Sequence, residues 1–135
     1  MVSSKEKYYK GLFLIAAIYD LTLGIIFTFF YKQAFQLIDM SDKLPVFGGY
    51  ISLIGAFLFV IGIAYYLIWR GDLQQNRDLI IVGTFYKIAY ATVAFVYLIL
   101  GNIPHPIFAY LFGIVDIIFF ILMTECILFL RKVTK

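Results

Sequence analysis

Cysteine is almost absent from this chain. Its 135 residues hold one, Cys126, which excludes an intrachain disulfide and any thiolate-built zinc or iron–sulfur centre. Histidine is equally scarce: with His105 alone, a haem held by two histidines of one chain is excluded, and no metal site is expected. Charged residues make up 14% of the chain, where a soluble domain carries roughly a quarter. No nucleophile–base pair, metal-ligand spacing or glycine-rich phosphate loop stands in the sequence, so neither an enzyme activity nor a bound cofactor is expected. The formal net charge is +3, but the positive residues flank apolar runs and form no basic stripe. A nucleic-acid partner is therefore not expected.

What the chain does have is apolar surface. Hydrophobic residues make up 64% and aromatics 20% of it, and the mean hydropathy is +0.97. That places it in the membrane class, with the lipid bilayer as its solvent. Four stretches, about 10–31, 46–69, 79–100 and 107–130, are each long enough to cross roughly 30 Å of hydrocarbon, which takes about 20 helical residues. A backbone in lipid must satisfy its own hydrogen bonds, so these stretches read as helices, and the short alternating segments of a β-barrel are missing. The predicted fold is a single all-α membrane domain, an antiparallel bundle of four transmembrane helices. The first apolar run is too long for a signal-peptide core and no small-residue cleavage site follows it, so it reads as a retained first helix.

The connectors carry helix-end chemistry. Gly71 is placed to close the second span and Asp78 to cap the third. The turn Gly101-Asn102-Ile103-Pro104-His105-Pro106 puts a proline in the first turn of the fourth helix, with His105 as a loop residue. The longer connector, 32–45, contains Phe35, Leu37, Ile38 and Met40, and a short helix on the membrane surface fits there. Lys5, Lys7, Lys10, Arg70, Arg77, Arg131, Lys132 and Lys135 fall on one side of the predicted topology, against Lys32 and Lys43 on the other. The positive-inside rule then sets both termini in the cytoplasm. Tyr31, the Tyr65-Tyr66 pair and Trp69 lie near span ends, where aromatic rings favour the interface.

Three ionisable residues sit near the middle of three of the apolar spans: Asp20, Lys87 and Asp116. Each leucine, isoleucine or phenylalanine of the first span contributes roughly −0.3 to −0.6 kcal/mol to insertion, which together outweighs about +2.5 to +3.5 for Asp20. The charge still prefers the interior to lipid. Small residues share its face: Ala16 and Gly24 flank Asp20, Gly83 and Ala91 flank Lys87, and Ala109 and Gly113 precede Asp116. Such residues mark close helix approach. The second span has no charge, but Gly48, Ser52, Gly55 and Gly62 form a stripe that should face inward. At ~1.5 Å per residue, the three charges lie at depths that agree within about one turn, so one shared site is expected. Tyr19, Thr84, Tyr86 and Tyr90 are placed to offer it hydroxyl groups.

Two carboxyls and one ammonium do not balance. Fully ionised, the cluster carries one negative charge. One carboxylate would pair with Lys87, leaving the other as a candidate to hold a proton or to bind a cation or small ligand. The same trio also reads as interhelical glue that holds the helices in register. Glu125 lies half a turn around the helix from Asp116 and is placed to pair with Lys87 from the cytoplasmic side, to meet another protomer, or to be protonated. Cys126 reads as apolar packing.

The stretches AAIYDLTLGIIFTFF, LIGAFLFVIGIAYYLIWRGD, IVGTFYKIAYATVAF and IVDIIFFIL together resemble the small bacterial four-helix membrane proteins of the DoxX-like family. That resemblance implies a bacterial inner membrane and an accessory or structural subunit of a larger membrane complex, one linked to quinone chemistry, although this chain has no redox-active cysteine pair. A transport-like or ligand-binding role, with a homodimer completing the pathway, is the reading the charged trio favours. Asp20 is also similar to the acidic first-span residue of the small multidrug resistance transporters, but Lys87 and Asp116 depart from that pattern. An accessory subunit needs an apolar face for its partner, and Phe27, Phe29, Phe30, Phe57, Phe59, Phe119 and Phe120 offer candidates.

Overall fold

The computed structural model describes residues 3–134, so Lys135 of the charge pattern lies outside the described residues. The described chain is helical, with no strand among these residues. Four helices are long and apolar enough to cross a membrane: α1 (Ser4–Phe29), α3 (Gly49–Arg70), α4 (Arg77–Ile99) and α5 (Pro106–Val133). A short α2 (Tyr31–Leu37) follows α1.

Local sequence explains where these helices begin and end. Ser3 caps α1 by accepting a hydrogen bond from the Glu6 amide at 3.2 Å, which carries the helix back beyond its apolar run to Ser4. Asp39 takes a left-handed φ of 60° after α2. There the Met40 amide bonds the Phe35 carbonyl at 2.8 Å and the Asp39 amide bonds that of Gln36 at 3.1 Å. This is a Schellman closure, and its apolar partners Phe35 and Met40 are both buried. Gly101 ends α4 the same way, with φ 67°, Asn102 bonding Tyr97 and Gly101 bonding Leu98. Pro106 occupies the first turn of α5, and the ring nitrogen Nδ1 of His105 accepts from the Ile107 amide at 3.1 Å. His105 is thus a helix cap. Asp78 is not one: it lies inside the first turn of α4, where its charge suits the helix dipole. The Asp72 carboxylate instead accepts from the Gln75 amide in the turn before α4. Gly71 closes α3 without a left-handed conformation, at φ −91°.

The long helices pack in two pairs, α1 along α3 and α4 along α5, and contacts between the pairs are sparser. Glycine makes the first pair. A Cβ at Gly24 would stand 2.6 Å from the Phe59 backbone nitrogen, and one at Gly55 would meet the backbone of Thr28. Gly62 is equally close to Leu21. The glycine stripe of α3 therefore turns inward at Gly55 and Gly62, where the backbones nearly touch. Ser52 adds a hydrogen bond to the Thr28 carbonyl at 3.0 Å. Gly48 departs from the stripe's expected role, because it caps α3 and lies against the Tyr31 hydroxyl.

Buried side chains form two clusters. One, toward the termini, includes Phe13, Tyr65, Ile68, Ile80, Met123 and Cys126. The other, at the far end, is built on Phe27, Phe35, Met40 and Leu58. Along α1, α4 and α5 the charged residues stand at the junction of the two. Large apolar side chains also lie exposed along every long helix, among them Ile15, Phe57, Val93 and Ile118. So much exposed apolar surface is out of place in water.

Candidate functional site

Four helices contribute to one buried centre. Asp20 comes from α1, Tyr65 from α3, Lys87 from α4 and Asp116 from α5, and the two helix pairs meet there. Asp20, Lys87 and Asp116 are 1%, 0% and 2% exposed. The Lys87 ammonium donates to both oxygens of Asp20, at 3.1 and 2.9 Å, and to Oδ1 of Asp116 at 3.0 Å. Its three protons thus have three acceptors. The two carboxylates are not equivalent: Asp20 is held through both oxygens and Asp116 through one. These are the only ion pairs among the described residues.

Aromatic rings enclose the ammonium. The ring centroids of Phe119, Tyr19, Tyr65 and Tyr86 lie 4.9, 5.3, 5.4 and 5.9 Å from Lys87 Nζ. Each is within the range at which a ring's quadrupole attracts a cation. In a dry setting such contacts offset part of the cost of removing the charge from water. The small residues admit these rings. A Cβ at Gly83, one turn before Lys87, would stand 2.6 Å from the Tyr65 ring. The Tyr65 hydroxyl uses that gap to donate to the Gly83 carbonyl at 2.6 Å.

Helix α5 reaches the centre through an irregular turn. Residues Ala109–Ile114 adopt π-helical geometry, and the Val115 amide bonds the Tyr110 carbonyl, five residues back. A π turn widens the helix and disturbs its carbonyl ladder, and such turns recur at functional sites. The Tyr19 hydroxyl donates to the Leu111 carbonyl in this turn at 2.7 Å. Asp116 follows directly in the first regular turn.

The hydroxyl groups expected at the trio go elsewhere. Those of Tyr19 and Tyr65 bond backbone carbonyls, and Thr84 donates to the Ile80 carbonyl of its own helix at 2.7 Å. Tyr86 lends Lys87 its ring face, while its buried hydroxyl has no hydrogen-bond partner among the described residues. Tyr90 packs on Tyr86 and Phe112, away from the ammonium. Lys87 satisfies its donors with carboxylates, so neutral hydroxyls are left for the backbone. Glu125 is exposed and takes no part, since the ammonium is already fully engaged.

Two members of the enclosure carry no polar signal that could identify them in the sequence. Tyr65 is fully buried, not interfacial, and Phe119 lies against Lys87, not on an outer face. Phe27 is likewise buried, whereas Phe29, Phe30, Phe57 and Phe59 are exposed. Among the described residues no group of His, Cys, Asp and Glu side chains could hold a metal ion. Cys126 is a free thiol packed in the apolar cluster. No protein family, curated protein or solved structure matches the chain.

Proposed function

We propose that the chain is a multi-pass membrane protein whose Asp20–Lys87–Asp116 centre binds and releases one proton, in a transport-like role. The observation that carries this reading is the unequal charge of a closed site. Two carboxylates share one ammonium, and with all three ionised the cluster keeps a net negative charge where water is excluded. Adding one proton makes it neutral. A proton also fits the geometry better than a larger ligand, because the three side chains touch one another directly. Asp116 is the carboxyl assigned to carry the proton: it meets Lys87 through one oxygen, whereas Asp20 grips the ammonium with two. Coupled groups titrate as a unit, so the proton belongs to the cluster and its residence on Asp116 is a preference.

The proposed topology has both termini in the cytoplasm of a bacterial inner membrane and the four long helices running antiparallel through the bilayer. The charge distribution supports it. The test is infrared difference spectroscopy of the protein in liposomes as pH is varied. A protonated-carboxyl band that appears with falling pH in the native protein, disappears in D116N, and moves to lower pH in D20N, where Asp116 alone balances Lys87, supports the assignment. Absence, in well-folded native protein, of any titrating carboxyl band that D116N removes overturns it and leaves the trio as interhelical glue.

A further inference from the structure

The end of the molecule opposite the termini contains a cavity of about 360 Å³. It is separate from the charged centre, and its walls are almost wholly apolar: Phe27 and Phe35, Phe108 and Phe112 of α5, and Val93 and Ala94 of α4. Its edges differ in character. On one side Ile54 of α3 and Val93 of α4 are both exposed, at 43% and 57%. The cavity therefore reaches the outer surface between α3 and α4, on the face that the membrane reading turns toward hydrocarbon. At the molecule's end its rim carries Lys43, Asn102 and Pro104. The Lys43 ammonium donates to the Pro104 carbonyl at 2.9 Å, which fixes the cation at the rim and leaves two of its three protons free.

An apolar chamber open sideways to lipid and topped by a positive charge has the polarity of an anionic amphiphile. We propose that this cavity binds one acyl chain of an anionic phospholipid, with the lipid phosphate at Lys43 and Asn102. Pockets of this size are within the ordinary range for small-molecule sites. The size suits one acyl chain better than two. The second chain stays outside, along Ile54 and Val93. Lateral entry between α3 and α4 lets the lipid arrive without leaving the bilayer. The exposed ammonium, near the level of the head groups, supplies the preference for negative charge. This inference rests on the membrane reading but not on proton binding at Asp116.

The test uses the full chain in nanodiscs containing a small fraction of phosphatidylglycerol or phosphatidylcholine with a photoreactive diazirine on one acyl chain. Crosslinked peptides are then mapped. The expected result is saturable labelling of the α4 and α5 cavity walls at one lipid per chain, stronger for phosphatidylglycerol. K43Q should cut that preference about fivefold, the effect of losing one surface cation. A94F, which fills the cavity, and V93F, which narrows its mouth from an already exposed position, should each reduce labelling. D116N should leave it unchanged, which separates the fate of this inference from that of the proton reading. Labelling spread evenly over the outward faces of all four helices, or insensitive to both K43Q and V93F, overturns the proposal. So does labelling of the cavity by a free diazirine fatty acid but by neither phospholipid.

Discussion

At the scale of single residues, the buried centre is governed by what remains when one charge is removed. Lys87→Met leaves two carboxyls facing one another without a cation, and removal of one partner from a buried ion pair costs about 3–5 kcal/mol. Asp116→Asn leaves a neutral Asp20–Lys87 pair with its two-oxygen contact intact, so it should cost the least of the three single changes. Asp20→Asn should fall between them. Combining all three neutral substitutions should recover most of the Lys87→Met loss, because no charge is then left buried. Denaturant unfolding in detergent checks this ranking, and equal losses for Lys87→Met and Asp116→Asn would contradict the geometry. Tyr65 separates two further contributions. Tyr65→Phe keeps the ring beside Lys87 but removes the hydroxyl's hydrogen bond to the Gly83 carbonyl, which still accepts within its own helix, at a cost of about 0.5–1.5 kcal/mol. Tyr65→Leu also removes the ring face, and the additional loss should be about 0.5–2 kcal/mol. If the two variants unfold alike, the ring contributes nothing to holding the cation. These contacts also show how far a sequence can be read. Charges in apolar spans betray themselves, and small neighbours betray the face on which they lie. Tyr65 and Phe119 do not, because an aromatic residue in an apolar run has the same pattern whether it faces lipid or a buried ammonium.

At the scale of helices, close backbone approach ties α1 to α3, whereas the contact between the two pairs is looser and centred on the ionic cluster. Gly24→Ala and Gly55→Ala would each drive a methyl group into backbone that has no rotamer to yield, and should cost about 1–3 kcal/mol, as overpacking does. Gly11 is the matched control. It lies on α1 with nothing within 4 Å of the position its Cβ would take. Gly11→Ala should leave the fold intact and stabilise it by about 0.5–1 kcal/mol through helix propensity. Gly101→Ala should lose about 1–2 kcal/mol for a different reason, since its left-handed backbone penalises any side chain. Thermal unfolding of the four variants side by side checks the contrast: a loss for Gly11→Ala as large as that for Gly55→Ala would remove the close-approach explanation. The glycine stripe was legible in the sequence because its spacing keeps Gly55 and Gly62 on one face. The π turn before Asp116 was not. It depends on how α5 fits against α1 and α4, and its residues AYLFGI have no composition that distinguishes them from an ordinary helical turn.

For the whole molecule, the distribution of charge is what the proposed direction across the membrane rests on. The N-terminal segment with Lys5, Lys7 and Lys10, the turn with Arg70 and Arg77, and the end of α5 with Arg131 and Lys132 carry the positive residues. The opposite connectors are held together by Lys43 donating to Pro104, which joins the segment after α2 to the turn before α5. Length and hydropathy make the four long apolar helices legible in the sequence, but this tie is not, since nothing local pairs a lysine with a carbonyl 61 positions away. Cysteine accessibility offers a direct measure of the proposed topology. The native thiol is suited to it, because Cys126 is buried and should resist a membrane-impermeant maleimide in intact cells. Against that silent background, a cysteine at exposed Gln75 should react only after the membrane is permeabilised, and one at exposed Asn102 should react from outside. Fusion reporters at either terminus should give cytoplasmic signals. Labelling of Gln75→Cys in intact cells, or an external C-terminus, would invert the orientation, and the lipid cavity would then face the cytoplasmic leaflet. Removing Lys5, Lys7 and Lys10 together should weaken the bias without changing the packing, because these side chains contribute to insertion and not to the core. Mixed labelling of both test cysteines in that triple variant would trace the direction of insertion to the N-terminal charges. A single retained orientation would trace it to Arg70, Arg77, Arg131 and Lys132.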